Sequence, residues 1–211
     1  MLKIWGRANS SNVQKVLWCC EELGLDYQRV DIGGIFGGDK EEPYLSLNPN
    51  GLIPTIEDGD LVLWESNTIL RYLAARHADA PKGRRTLIPD DPARRAEAER
   101  WMDWQLSVLS GPMSTLFWNL IRLPPEKRDT SGLQAAQKKA AAAWDILDRH
   151  LATRAYVGGA SFTVGDIPVG IMGWRWLHLP IERPAQPHLN DWIHRLMARP
   201  GYQKYVALPL T

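Results

Sequence analysis

The chain is predicted to fold as an α/β domain over residues 1–77, built as βαβ followed by ββα, then a linker over 78–91 and an all-α domain over 92–211. Three observations predict this. Short apolar runs alternate with amphipathic segments as far as residue 77, a Pro- and Gly-bearing stretch follows, and beyond it Ala, Leu, Arg, Glu and Trp recur at helical spacing with no strand-like run. Leu2 to Gly6 reads as the first strand. From Ser11 to Leu23 the apolar residues Val13, Val16, Leu17, Cys20 and Leu23 share one helical face, and Gly24 is the stop. Tyr27 to Asp31 alternates like a second strand, Gly33, Gly34, Gly37 and Gly38 form a loop, and Tyr44 to Leu47 a short helix. Pro54 to Glu57 and Leu61 to Glu65 flank Asp58-Gly59, a dipeptide suited to a tight hairpin. Ser66 then opens a helix with Ile69, Leu70, Tyr72, Leu73 and Ala74 on its apolar side.

The linker holds Pro81, Gly83 and Pro89 with a solvated Lys82, Arg84 and Arg85 cluster. Beyond it, helical periodicity covers 92–121 and 133–152, separated by the Leu123-Pro124-Pro125 turn, with further helices over Val164 to Trp176, 188–198 and 201–206.

Charge and cysteine content narrow the function. Twenty-five Lys and Arg against 24 Asp and Glu leave a formal charge of +1 on 211 residues, so no overall field draws the chain to nucleic acid or an acidic membrane. Neither a signal-peptide core nor a membrane-spanning run occurs, and a soluble, unprocessed, cytoplasmic protein is expected. Cys19 and Cys20 are adjacent and cannot bridge in ordinary geometry, and they lie inside a helix, so dithiol chemistry and a zinc site are not expected. The five His residues lack ligand spacing, and no metal is expected.

Three segments have chemical potential. In ANSSNVQKV, Ser10, Ser11 and Asn12 stand at a strand-to-helix turn, where one Ser can cap the helix. The free N–H groups and positive dipole end there also favour an anion, and a hydroxyl or amide donor lowers the pKa of a bound thiol. In NPNGLIPTI, Pro54 either begins an edge strand or forms a cis bond with Ile53 that turns the Ile53 peptide outward to pair with an extended ligand. In WESNTI, Ser66 is either an N-cap or, with Glu65, a seat for the zwitterionic end of an amino acid.

These segments, together with SFTVGDIPVG, make the chain resemble a cytosolic glutathione S-transferase over nearly its whole length. The resemblance implies a thioredoxin-like first domain, a homodimer and reduced glutathione as co-substrate. It places Ser10 as the hydroxyl that stabilises the glutathione thiolate, as in theta-like serine-type members, with Asn12 assisting as in the Nu-like branch and Ser11 taking the role of Ser10 if the turn is shifted by one. Ile53 would pair with the cysteinyl part, Pro54 would be cis, and Glu65 and Ser66 would hold the γ-glutamyl end. Asn50, Gly51 and Leu52 stand where some relatives carry a Lys or Gln for the glycyl carboxylate, so Asn50 or Lys40 is expected to substitute. Thr163 and Asp166 match the family's buried capping box, a structural role.

Most of the ten tryptophans belong to packing faces. Trp104, Met113, Phe117 and Trp118, with Trp174 or Trp176, are expected to wall an apolar electrophile pocket, because in this fold the first long helix of the second domain faces the thiol site. WMDWQLSVLSGPM is similar to the WQ…GP pattern of the Nu-like branch, which is associated with disulfide reduction as well as conjugation. The expected function is therefore thiolate conjugation to an apolar electrophile. The alternatives are a glutathione-dependent disulfide reductase and a non-catalytic binder of apolar ligands.

Overall fold

A computed structural model describes residues 1–78 and 86–211. Lys82, Arg84 and Arg85, the cluster assigned to the linker, lie outside the described residues. The first domain comprises β1 (Leu2–Trp5), α1 (Ser11–Leu23), β2 (Tyr27–Val30), α2 (Tyr44–Leu47), β3 (Thr55–Asp58), β4 (Leu61–Trp64) and α3 (Ser66–Arg76). Its sheet runs β2-β1-β3-β4, with β1 and β2 parallel around the α1 crossover and β3 antiparallel to both β1 and β4. The period of two sorts the faces: Leu2, Ile4 and Ile56 are buried in the main core with α1 and α3, while Trp5 lies on the other face, 5.9 Å from the Tyr44 ring of α2. Asp58 pairs with Leu61, so the hairpin loop is Gly59-Asp60 rather than Asp58-Gly59, and Gly59 alone takes a positive φ (62°). That is the pattern of a type II′ turn, which needs glycine at its first central position.

The second domain comprises α4 (Pro92–Trp104), α5 (Ser110–Phe117), α6 (Thr130–Leu151), α7 (Asp166–His178), α8 (Pro187–Met197) and α9 (Pro200–Tyr205). Asp91 and Asp129 cap α4 and α6, accepting from the N–H groups of Arg94 and Gly132. The predicted helix over 92–121 is continuous but contains two wide π-type turns, Gln105–Leu109 and Trp118–Arg122. Each wide turn rotates the succeeding residues relative to a regular helix, and periodicity alone did not register that.

Asp166 is fully buried and accepts from the N–H of Val157 and of Thr163 (both 2.9 Å), the Thr163 hydroxyl (3.2 Å) and the Trp192 indole (2.9 Å). Only half of the expected capping box forms, because the carboxylate reaches back to Thr163 while no side chain caps α7. Burial outweighs these donors and pushes the Asp166 carboxyl up to about 6. Asp166→Ala leaves two buried N–H groups and an indole unpaired, and should cost roughly 4 kcal/mol in denaturant unfolding. A loss under about 1 kcal/mol would show that the cluster does not hold the domain.

The domains meet along α1. Trp18 packs against Tyr202 (5.0 Å) and Phe162 (5.4 Å), and Glu22 accepts both arms of the buried Arg199 guanidinium (2.7 and 2.5 Å). No helix among the described residues is long and apolar enough to cross a membrane.

Candidate functional site

Ser10 precedes α1 in an extended conformation (φ −81°, ψ 125°), and its side chain makes no capping hydrogen bond. Its hydroxyl is therefore not spent on the helix, and the first-turn N–H groups and positive dipole end stay available to an anion. Ser10 and Ser11 line a cavity together with Phe117, Trp118, Arg7, Arg122 and Arg175. The second π-type turn begins at Trp118, which is 59 % exposed, and ends at Arg122.

An adjoining cleft is lined by Asn12, Asn50, Ile53, Pro54, Glu65 and Ser66. The Ile53-Pro54 bond is cis, as is Glu42-Pro43, which the sequence did not indicate. Glu65, not Ser66, is the residue before α3, and Ser66 is its first helical residue. Glu65 holds φ 72°, the one positive φ outside glycine among the described residues. A β-carbon there is costly, by about 1–3 kcal/mol, and such outliers concentrate at sites that bind or react.

Asn12 belongs to this cleft rather than to the Ser10 cavity, accepting from the Ser66 hydroxyl at 3.4 Å. Lys40 donates to the carbonyls of Gly51 (2.6 Å) and Asn50 (3.2 Å), and the Asn50 amide donates to Asn48, so both side chains brace the loop before Ile53. Of the expected electrophile wall, the structure brings Phe117 and Trp118 to Ser10. Trp174 borders a neighbouring cavity that shares Phe117 and Arg175, and donates to the Leu208 carbonyl. Met113 and Trp176 are core residues, the latter bonded to Gln186. Trp104 opens onto a separate cavity beside Trp101 and His150. The first π-type turn begins one residue after Trp104 and takes it off the face that carries Trp118.

Sequence reasoning missed Lys15. This fully buried lysine donates to Ser66 Oγ (3.3 Å), Asn67 Oδ1 (3.1 Å) and Gln105 Oε1 (2.9 Å), tying α1 to α3 and to the first π-type turn. Burial is the main cause that brings its amine down to about 7, opposed by the nearby Glu65 charge and reinforced by Arg175. The three cavity arginines were missed too. Arg175 is a lone cation in the apolar run DIPVGIMGWRWLH, and Arg7 follows β1 at its carboxyl end, where open α/β sheets place ligands. Those were the available signals. No group of His, Cys, Asp and Glu among the described residues could hold a metal ion.

Comparison with known proteins agrees with this fold. The profile described as "Glutathione S-transferase, N-terminal domain" matches residues 9–76, and "Glutathione S-transferase, C-terminal domain" matches 112–200. The chain is 40% identical to glutathione S-transferase GstB of Escherichia coli K12, over 100% of both chains. It is 32% identical to glutathione S-transferase 3 of Zea mays, over 99% of this chain and 95% of that one. Among solved structures, a theta class glutathione S-transferase from Xanthomonas axonopodis pv. citri with glutathione bound superposes with a TM-score of 0.93 at 47% identity, covering 100% of this chain and 99% of that one.

Proposed function

The chain belongs to the glutathione S-transferase family and is a glutathione transferase, and on that footing we propose which of its residues activate the thiol and seat the substrates. The observation that carries the reading is the uncommitted Ser10 hydroxyl at the N-terminus of α1. Reduced glutathione lies along the two adjoining cavities. Glu65 accepts from its γ-glutamyl ammonium, Ser66 and the first-turn N–H groups of α3 hold the carboxylate, and the outward Ile53 peptide pairs with the cysteinyl residue. Asn12, bonded to Ser66, steadies the γ-glutamyl end. Lys40 and Asn50 shape the loop nearest the glycyl end. The sulfur then reaches Ser10.

A cysteine-type thiol titrates near about 8.5, so lowering it by about two units requires about 2.7 kcal/mol in favour of the thiolate. A charge-assisted hydrogen bond from Ser10, of about 1.5–3 kcal/mol, is of that size, and the helix end and nearby arginines act in the same direction. The thiolate attacks an electrophilic carbon presented against Phe117 and Trp118. A carbon–sulfur bond forms, and the electrophile's leaving group departs with its electron pair. Conjugation is favoured over disulfide reduction because Asn12, the residue that the second chemistry would need at the sulfur, sits in the other cavity.

The setting is cytoplasmic, supported by two buried free cysteines, and the enzyme is a homodimer, supported by the exposed apolar residues Leu61, Val62 and Trp64 on edge strand β4. Ultraviolet difference titration with glutathione near neutral pH tests the thiol assignment. A thiolate absorbance that saturates with glutathione is expected, and binding without it would remove Ser10 from its role.

Glu65→Gly separates binding from folding. Glycine relieves the positive φ, so the variant should melt no lower than the parent while its KM for glutathione rises at least about tenfold. A variant that melts lower with an unchanged KM would mean that Glu65 serves the fold instead.

A further inference from the structure

Arg7, Arg122 and Arg175 converge on the cavity that holds Ser10, and no carboxylate lines it. None of the three makes an ion pair among the described residues, although six other arginines do. Asp39 exerts a compensating pull on Arg7, yet the Arg7 Nε stays buried with no hydrogen-bond partner. The Arg175 guanidinium lies 4.0 Å and that of Arg122 5.6 Å from the centre of the Phe117 ring. Burial is the main cause that brings Arg175 down to about 10, and the charges of Arg122 and Arg7 add to it. Like charges gathered without a counter-ion destabilise the folded chain, so they persist where a ligand supplies the missing charge. Trp118, 59 % exposed at the cavity, meanwhile offers flat apolar surface to an aromatic body.

We propose that the second substrate is an aromatic electrophile bearing a carboxylate or similar anionic group, which Arg122 and Arg175 bind while its ring packs on Trp118. This rests on Ser10 activating the glutathione thiol in the same cavity. The thiolate adds to the ring carbon that carries the halogen, and halide leaves with the bonding pair, so that thiolate and aryl halide become thioether and halide. The arginines also offset the negative charge that develops on the ring during addition.

The test compares 4-chloro-3-nitrobenzoate with 4-chloro-3-nitrobenzamide, which differ in charge and little in shape, each rate being divided by its uncatalysed rate with glutathione at the same pH. The corrected kcat/KM should favour the benzoate by at least about tenfold, a preference of about 1.4 kcal/mol. Arg122→Gln and Arg175→Gln should each reduce that preference severalfold. A glutathione thiolate that forms while the benzoate gains no preference overturns the anion site and leaves the thiol assignment standing. Arginine variants that raise the KM for glutathione equally with both electrophiles also overturn it, since the cations would then serve the peptide. If no thiolate forms, the thiol assignment fails by itself. Calorimetry with 4-chloro-3-nitrobenzoate then decides the anion site: binding lost in Arg122→Gln supports it, and absence of binding to the parent protein overturns it.

Discussion

Ser10→Ala is expected to lower kcat/KM about a hundredfold near pH 6.5, with the KM for glutathione changing less than about threefold. In the proposed binding mode the peptide is held mainly in the cleft of Asn12, Ile53, Glu65 and Ser66, so removing one hydroxyl from the neighbouring cavity leaves most of those contacts in place. What is lost is the donor that favours thiolate over thiol. The pH profile should therefore move with the rate: the apparent pKa of the bound thiol rises towards about 8.5, and the variant recovers activity in alkaline buffer. The α1 dipole and the three arginines remain, so the recovery begins before the free-thiol value is reached. Equal turnover by Ser10→Ala and its parent at pH 6.5 would sink the assignment.

The second large effect concerns stability. Lys15 titrates at about 7 in the folded chain against 10.5 when unperturbed. Between those values the unfolded chain binds more protons than the folded one, so this group makes stability rise with pH across the window and holds it down below pH 7. The parent protein should gain roughly 3–4 kcal/mol relative to Lys15→Met between pH 7 and 10, as measured by urea unfolding of both at each pH. Other titrating groups cancel in the difference. Parallel curves for the two proteins would mean that the buried amine keeps its ordinary pKa. At pH 7 the sign of the substitution itself is set by opposing effects: methionine removes the cost of burying an amine but strips a donor from Ser66, Asn67 and Gln105. Because Ser66 is one of the three, glutathione affinity should fall even where stability does not.

The regular elements were legible because they depend on local periodicity and punctuation. The bounds of α1 and α2 follow from apolar spacing and from Gly24, whose φ of 61° only glycine adopts freely. The cis Ile53-Pro54 joint was legible from motif, and motif also nominated Ser10, Glu65 and Ser66 for the proposed site, yet not their local geometry. Ser10 stands at the cap position without capping, and Glu65 takes a conformation that no propensity scale assigns to glutamate. What stayed hidden is tertiary. The wide turn at Gln105 alters helical phase without changing composition, so Trp104 and Trp118, assigned to one wall, open onto different cavities. Lys15 occupies a polar position in a helical pattern and ordinarily would face water, but α3 and the Gln105 turn close over it. Arg7, Arg122 and Arg175 come from three distant segments, and only the fold brings them together.

Helix α1 is the first helix of one domain, yet much of its surroundings comes from the other. Trp18 lies so close to Gly201 that an added β-carbon there would meet the indole at 2.5 Å, Glu22 takes the Arg199 guanidinium, and Lys15 takes Gln105. The two halves are therefore poorly suited to exchange by recombination. A chimera joining this first domain to a second one without Gln105, Arg199 and Gly201 would inherit a buried amine without its amide, a carboxylate without its guanidinium and an indole with no recess. Such halves are expected to change together, whereas Trp118 and Arg122 take part in none of these three contacts and are open to point substitution.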